Sequence, residues 1–209
     1  MGRVTGPRAK ISRATGIDLD AFSPLRSLST KCKHDRRPGK PLKRTDRSSD
    51  YGKQLEMKKA ICSYYGLRDK QFRRFVAEAE RLTGSTPANL MSLLESRLDN
   101  VVYRMGFAVT RREARQLVAH KKITLNGSIH KSPSTVLKQQ DVVSVRDNSK
   151  SEARILQAIE IHKDAKVDNA DWINVDHSDL TGSVVSQPDL TRLNETFKPS
   201  LVIEFYSKS

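Results

Sequence analysis

The chain has 209 residues, 36% hydrophobic and 30% charged, and its 38 Lys and Arg outnumber its 24 Asp and Glu for a formal net charge of +14. That length holds one full domain plus a smaller one or a tail, and it excludes a large multidomain enzyme. An excess of positive charge on this scale contributes nothing to folding and implies a polyanionic partner.

The charge is unevenly spread, at +8 over residues 1–50, +10 over 51–150 and −4 over the last 59 residues. The C-terminal stretch therefore faces a different neighbour from the rest. With a mean hydropathy of −0.60, a core forms only if part of the chain stays solvated or packs against a partner. Cys32 and Cys62 are the two cysteines; they make no disulfide framework and no CxxC pair for zinc, which fits a reducing compartment. No apolar run approaches a membrane span, and the first residues, Met1 to Gly6, lack both a signal-peptide core and a myristoylation signal. The expected location is cytoplasmic.

In chain order, residues 1–48 are rich in Arg, Lys, Ser, Thr, Gly and Pro, with scattered apolar residues (Ile11, Ile17, Leu19, Phe22, Leu25, Leu28) and no sustained period. They read as a basic arm that orders against RNA rather than as a domain. Tyr51, Leu55, Lys58, Cys62 and Tyr65 then recur at helical spacing, with Gly66 at the C-cap position. A second amphipathic helix is predicted from about Arg68 to Leu82 on the stripe Phe72, Phe75, Val76, Ala79 and Leu82. These Tyr and Phe residues read as core rather than as base-stacking platforms. Thr86-Pro87 opens a third helix, carried by Leu90, Leu94, Leu98, Val101 and Met105 as one unbroken element to Gly106. Thr110 with Glu113 forms a capping box for a fourth.

From Ile123 the period shifts to two, through Leu125, the Asn126-Gly127 hairpin turn, Ile129, Val142, Val143 and Val145. Residues 149–164 return to a helical pattern, and Trp172 to Val175, Ser183 to Val185 and Leu201 to Phe205 read as strands. The fold class is α+β: an extended basic N-terminal arm, a helical domain, and a helix hairpin with a small antiparallel sheet.

The chemistry concentrates in residues 97–147. On a 3.6-residue period Arg111, Arg112, Arg115 and Lys122 lie within an arc of roughly 100°, apart from the arc of Ala114, Leu117 and Val118. One arc docks on protein and the other presents guanidinium groups able to bond phosphate oxygens bidentately. A solvated basic face is the bland alternative, weakened by the +18 carried over residues 1–150. No Walker loop, Gly-x-Gly-x-x-Gly run or supported Ser or Cys nucleophile is present. His120 and His130 are expected at the surface or facing RNA.

The run Ser96-Arg97-Leu98-Asp99-Asn100-Val101-Val102-Tyr103-Arg104-Met105-Gly106-Phe107, with Thr110 to Val118 and Ile123-Thr124-Leu125-Asn126-Gly127, resembles the small-subunit ribosomal protein four family of the bacterial type and its RNA-binding module. Gly6-Pro7-Arg8, Lys31-Cys32-Lys33, Pro38-Gly39, Ser49-Asp50-Tyr51-Gly52, Lys70-Gln71-Phe72-Arg73 and Val202 to Lys208 match the same pattern in order. The match starts at the first residues, leaving no room for a transit peptide. The resemblance implies a basic arm at 1–48, a helical domain at 49–95 joined by about 187–209, and an α/β RNA-binding module at 96–186.

By the same resemblance, the protein is a structural component of the small ribosomal subunit that binds the 5′ domain of small-subunit rRNA early and nucleates assembly of the subunit body. It further implies basic residues along the path by which mRNA enters, and a contribution to translational accuracy. The partners it implies are small-subunit rRNA, mRNA and small-subunit ribosomal protein five, with proteins three and twelve as further candidates, and neither a membrane nor a small-molecule substrate. Expected RNA contacts are Arg3, Arg8, Lys10, Arg13, Arg26, Lys31, Lys33, Arg36, Arg37, Lys40, Lys43, Arg44 and Arg47 in the arm, the last three facing mRNA. Tyr51, Lys53 and Arg73 follow in the helical domain, then Arg111, Arg112, Arg115, Lys121 and Lys122 in the module.

Part of that family holds zinc with four cysteines in the arm, of which only Cys32 stands here, so the zinc-free type and no cofactor are expected. Arg97-Leu98-Asp99 also resembles a signature of pseudouridine synthases, but Asp99 falls inside the module's helix and only 62 residues follow residue 147. A surface carboxylate salt-bridged to Arg or Lys is expected at Asp99, and no enzymatic activity. A free-standing heat-shock or tRNA-handling protein would leave the first 95 residues unexplained.

Overall fold

A computed structural model describes residues 7–19, 36, 38–39, 49–150, 152–165 and 171–207, except the side chains of Arg8 and Arg192. The described residues cluster into two compact units, one from 7–19, 36, 38–39, 49–91 and 190–207, the other from 92–150, 152–165 and 171–189.

The first unit is helical: α1 (Arg8–Thr15), α2 (Asp50–Tyr64), α3 (Asp69–Arg81), the start of α4 (Thr86–Glu95), α8 (Thr191–Thr196) and α9 (Pro199–Ser207). Ser49 caps α2, its hydroxyl accepting the Gly52 N–H at 3.2 Å. At the other end Gly66 takes φ +63°, and the Leu67 N–H returns to the Cys62 carbonyl at 2.7 Å. This is the left-handed cap that glycine adopts without steric cost. Ala60, Ile61, Tyr64, Phe72, Val76 and Ala79 are buried with Phe197, Val202 and Phe205. Phe197 meets Tyr64 edge-on at 5.0 Å, and Gln54 donates to Glu204 at 2.9 Å, so α9 closes onto α2.

Two expectations change here. The stretch read as an arm without period contains α1, which packs on α2 and buries Ser12; packing, not local periodicity, stabilises so short a helix. Leu201 to Phe205, read as a strand from its β-branched and aromatic residues, is the middle of α9. There Pro199, Val202 and Phe205 form a buried stripe at helical spacing, and the proline stands at the first helical position.

The second unit holds α5 (Leu98–Arg104), α6 (Arg111–Ala119), α7 (Ala153–Asp164) and a five-stranded antiparallel sheet. The strands β1 (Ile123–Leu125), β2 (Ser128–Ile129), β3 (Val142–Val145), β4 (Ile173–Asp176) and β5 (Thr181–Val184) lie in the order β2-β1-β3-β5-β4. Asn126 and Gly127, at φ +49° and +78°, make the tight turn between β1 and β2. Ile123 opposite Val145, and Ile173 opposite Val184, bury one sheet face against Leu98, Val101, Val102, Phe107, Leu117, Val118 and Ile155. Gly182 is required in β5, because a Cβ there would stand 2.8 Å from Met105 Cε and 3.1 Å from the Asn174 carbonyl oxygen.

The helix expected to run unbroken to Gly106 is two helices. Arg97 is extended at φ −68°, ψ 138° and bridges Val136. The Leu98 and Asp99 N–H groups donate to the Thr135 and Pro133 carbonyls at 2.8 and 3.1 Å, while Leu137 N–H donates to Ser96 at 2.8 Å. These tertiary bonds satisfy the first-turn donors that would otherwise continue the α-helical ladder.

Candidate nucleic-acid interface

The candidate interface is the α5–α6 hairpin and its rim. Thr110 caps α6 by accepting the Glu113 N–H at 3.3 Å, and Glu113 accepts the Val109 N–H at 3.0 Å, so the two residues work together as the spacing predicts. Glu113 also takes Arg154 of α7 at 3.0 Å.

Beneath the hairpin lie two buried ionic clusters. In the first, Glu95, 1% exposed, accepts Asn100 at 3.0 Å and Arg104 at 3.1 and 3.3 Å through its two oxygens. Asn100 in turn accepts Arg111 Nε at 2.8 Å, and the Arg111 guanidinium lies 4.4 Å above the Tyr103 ring centroid. In the second, Arg97 grips Asp99 bidentately at 3.1 and 2.7 Å, and Arg115 Nη1 stands 3.9 Å from the same carboxylate.

The row of cations inferred from the helical wheel is therefore smaller than expected. Arg111 is buried at 8% exposure, because the first turn of α6 faces back onto α5, where Asn100 and Tyr103 receive it. Lys122 pairs with Glu152, and that contact holds the Glu152 carboxyl below its usual range. Arg112 and Lys121 are exposed and Arg115 is part-exposed, leaving these three as the outward set. Asp99, expected as a surface carboxylate, is 4% exposed; its salt bridge is real, but it lies in the core.

Elsewhere Lys10 is exposed on α1, and Arg13 Nε donates to the carbonyl of exposed Arg36 at 2.8 Å. Arg8 lies on α1 with its side chain outside the description, and Arg3, Arg26, Lys31, Lys33, Arg37, Lys40, Lys43, Arg44 and Arg47 lie outside the described residues, as does Cys32. Tyr51, 62% exposed, rests its ring 5.6 Å from Phe205. Lys53 pairs with Asp50 at 3.1 Å, and Arg73 lies 5.6 Å over the Tyr206 ring.

Sequence reasoning missed Lys131, Lys138 and Arg146, all exposed on the sheet-bearing unit; their only signal is the plain count of basic residues. It also missed buried Glu95 and Asn100 and part-buried Arg104, which join Arg111 in one cluster. Of the two surface histidines expected, His120 is exposed, while His130 Nε2 lies 2.7 Å from the Thr135 hydroxyl. Among the described residues no three His, Cys, Asp or Glu are grouped to hold a metal, and no helix is long and apolar enough to cross a membrane.

The geometry offers cationic donors on a helix hairpin beside a small sheet, suited to phosphate oxygens. Residues 3–95 match the family described as the ribosomal protein S4/S9 N-terminal domain, and residues 96–143 match the S4 domain. The chain is 47% identical over 208 residues to the small ribosomal subunit protein uS4 of Chromobacterium violaceum, with 100% of both chains covered. It is 46% identical over 208 residues to that of Coxiella burnetii and 46% over 209 residues to that of Paraburkholderia phymatum, again across the whole of both chains.

Proposed function

Because the chain belongs to the uS4 family of small ribosomal subunit proteins, we propose that it binds the 5′ domain of small-subunit rRNA and nucleates assembly of the subunit body. The family is a structural, non-enzymatic part of the small subunit and binds rRNA through its S4 domain. The observation that supports the finer reading is that Arg112, Arg115 and Lys121 stand outward on and beside α6, with Arg115 Nη1 3.9 Å from the buried Asp99 carboxylate. Arginine guanidinium groups presented on one helix can bond phosphate oxygens bidentately.

The same reading gives the parts of the chain distinct work. The arm at 1–48 orders against rRNA, and its Lys43, Arg44 and Arg47 line the path by which mRNA enters the subunit. The C-terminal segment around Asp189 to Glu195 meets protein five, with proteins three and twelve as further candidates, and carries the influence on accuracy. The module at 96–186 grips rRNA. Residues 187–209 carry no net charge against +8 over residues 1–50, which favours a protein-facing role there, since phosphate is drawn to cationic surface.

The test is filter binding of the full chain to a 5′-domain transcript across a salt series. Replacing Arg112, Arg115 and Lys121 together with Gln is expected to flatten the slope of log affinity against log salt by about two units, at roughly 0.7 to 0.9 per phosphate contact. An unchanged slope would show that these cations are only a solvated face.

A further inference from the structure

Two histidines from the C-terminal half of the S4-bearing unit converge on the link between α5 and α6. His162 of α7 places Nε2 3.0 Å from the Ala108 carbonyl oxygen, and His177 in the β4–β5 turn places Nε2 3.1 Å from that of Met105. A carbonyl can only accept, so each ring donates from Nε2–H. Between the two carbonyls sits Gly106 at φ +80°, where an added Cβ would stand 3.6 Å from both rings. His162 packs edge-on against Tyr103 at 5.5 Å and His177 against Phe107 at 6.4 Å. The link that aims α6 is thus held on both sides by imidazoles, 54 and 72 residues further along the chain.

We propose that His162 and His177 are positioning residues for the RNA-binding hairpin, and that placing a proton on buried His162 loosens the α5–α6 link and weakens RNA binding. This rests on the rRNA-binding reading above.

The surroundings set the sign. His162 is 8% exposed; burial, then the nearby His177, favour its neutral form against the Ala108 hydrogen bond, which favours the charged one. The ring beside it, Tyr103, already carries Arg111 at 4.4 Å. On the same helix Glu160, Lys163 and Asp164 are exposed. Around His177 stand Asp176 and Asp179, and the Asp176 carboxylate is occupied by the Ser178 and Asp179 N–H groups, which keep it below its usual range. A histidine whose folded-state pKa is depressed contributes stability that is present above its unfolded value, about 6.5, and is lost as pH falls through the folded value.

The experiment compares the full-length wild type with His162→Gln, His177→Gln and the double variant. The Gln amide can donate to the same carbonyl but does not titrate. Two measurements are made from about pH 8 to about pH 5.5 at constant ionic strength: affinity for the 5′-domain transcript, and amide exchange of residues 106–108 corrected for intrinsic rates. Wild-type affinity is expected to fall by at least about threefold between about pH 7 and about pH 5.5, with faster exchange at the link, while the double Gln variant stays within about twofold on both. Parallel profiles in wild type and double variant overturn the proposal, as does faster exchange without loss of affinity. If wild type fails to bind the transcript at neutral pH, the rRNA reading falls, and the exchange data alone still decide whether the imidazoles hold the link.

Discussion

Arg111 and Arg112 are adjacent in sequence and are predicted to behave oppositely when each is replaced by Gln. Arg111→Gln withdraws the 2.8 Å donor from Asn100, which is 1% exposed, and the cation from the Tyr103 face. An unsatisfied buried acceptor costs about 1 to 3 kcal/mol and a desolvated cation–π contact about 1 to 2 kcal/mol, so a loss of about 2 to 5 kcal/mol is expected. For a domain of this size that lowers Tm by roughly 5 to 15 °C. The salt slope of RNA binding, measured well below the melt, should be unchanged. Arg112→Gln, at an exposed position, should move stability by about 0.5 kcal/mol or less and reduce the slope by roughly 0.7 to 0.9. Thermal melts paired with filter binding over a salt series separate the two. If Arg111→Gln melts like wild type while flattening the slope, the burial argument is wrong and Arg111 is a phosphate ligand.

Asp99→Asn should cost about 3 kcal/mol in urea melts, because Arg97 is left buried without a charged partner; a change under about 1 kcal/mol, the scale of a surface pair, would refute this. Burial pushes the Cys62 thiol up to about 12, so its thiolate is scarce at pH 8, and Cys62 should react with a disulfide reagent only after denaturation, with unfolding-independent labelling as the contrary result. Gly182→Ala should lose about 1 to 3 kcal/mol by driving a methyl into Met105 and the Asn174 carbonyl, and a wild-type melt would show that β5 yields. Asp189→Asn with Glu195→Gln should leave affinity for isolated rRNA within about twofold while changing the error rate in a misreading reporter, and lost rRNA binding by a folded variant would reassign that segment.

Local chemistry made part of this molecule legible. Gly66, Thr110 with Glu113 and Asn126-Gly127 are caps and turns whose partners lie within a few residues, and each is found where its spacing puts it. What escaped depends on partners far along the chain. Arg97 carries no glycine or proline signal, and the break there is made by residues 133–137. A helical wheel shows that Arg111 and Arg115 share an arc, yet it cannot show that α6 turns its first residue toward Asn100. Leu201 to Phe205 has strand-like composition, but α2 offers a helix-shaped surface that only the fold reveals.

The order in which the chain leaves the ribosome that makes it acquires meaning from the bonds that start α5. The Leu98 and Asp99 N–H groups have their acceptors at Thr135 and Pro133, so the first turn of this helix cannot be sealed until nearly forty further residues have emerged. Its far end waits longer, for His162 and then His177. During synthesis the cationic hairpin therefore exists for a time as a loosely seated pair of helices and tightens in two steps as later segments arrive. Nascent chains stalled after residue 137 and after residue 177 should differ in protease resistance at the α5–α6 link, which makes the maturation of the RNA-binding module readable along the axis of translation itself.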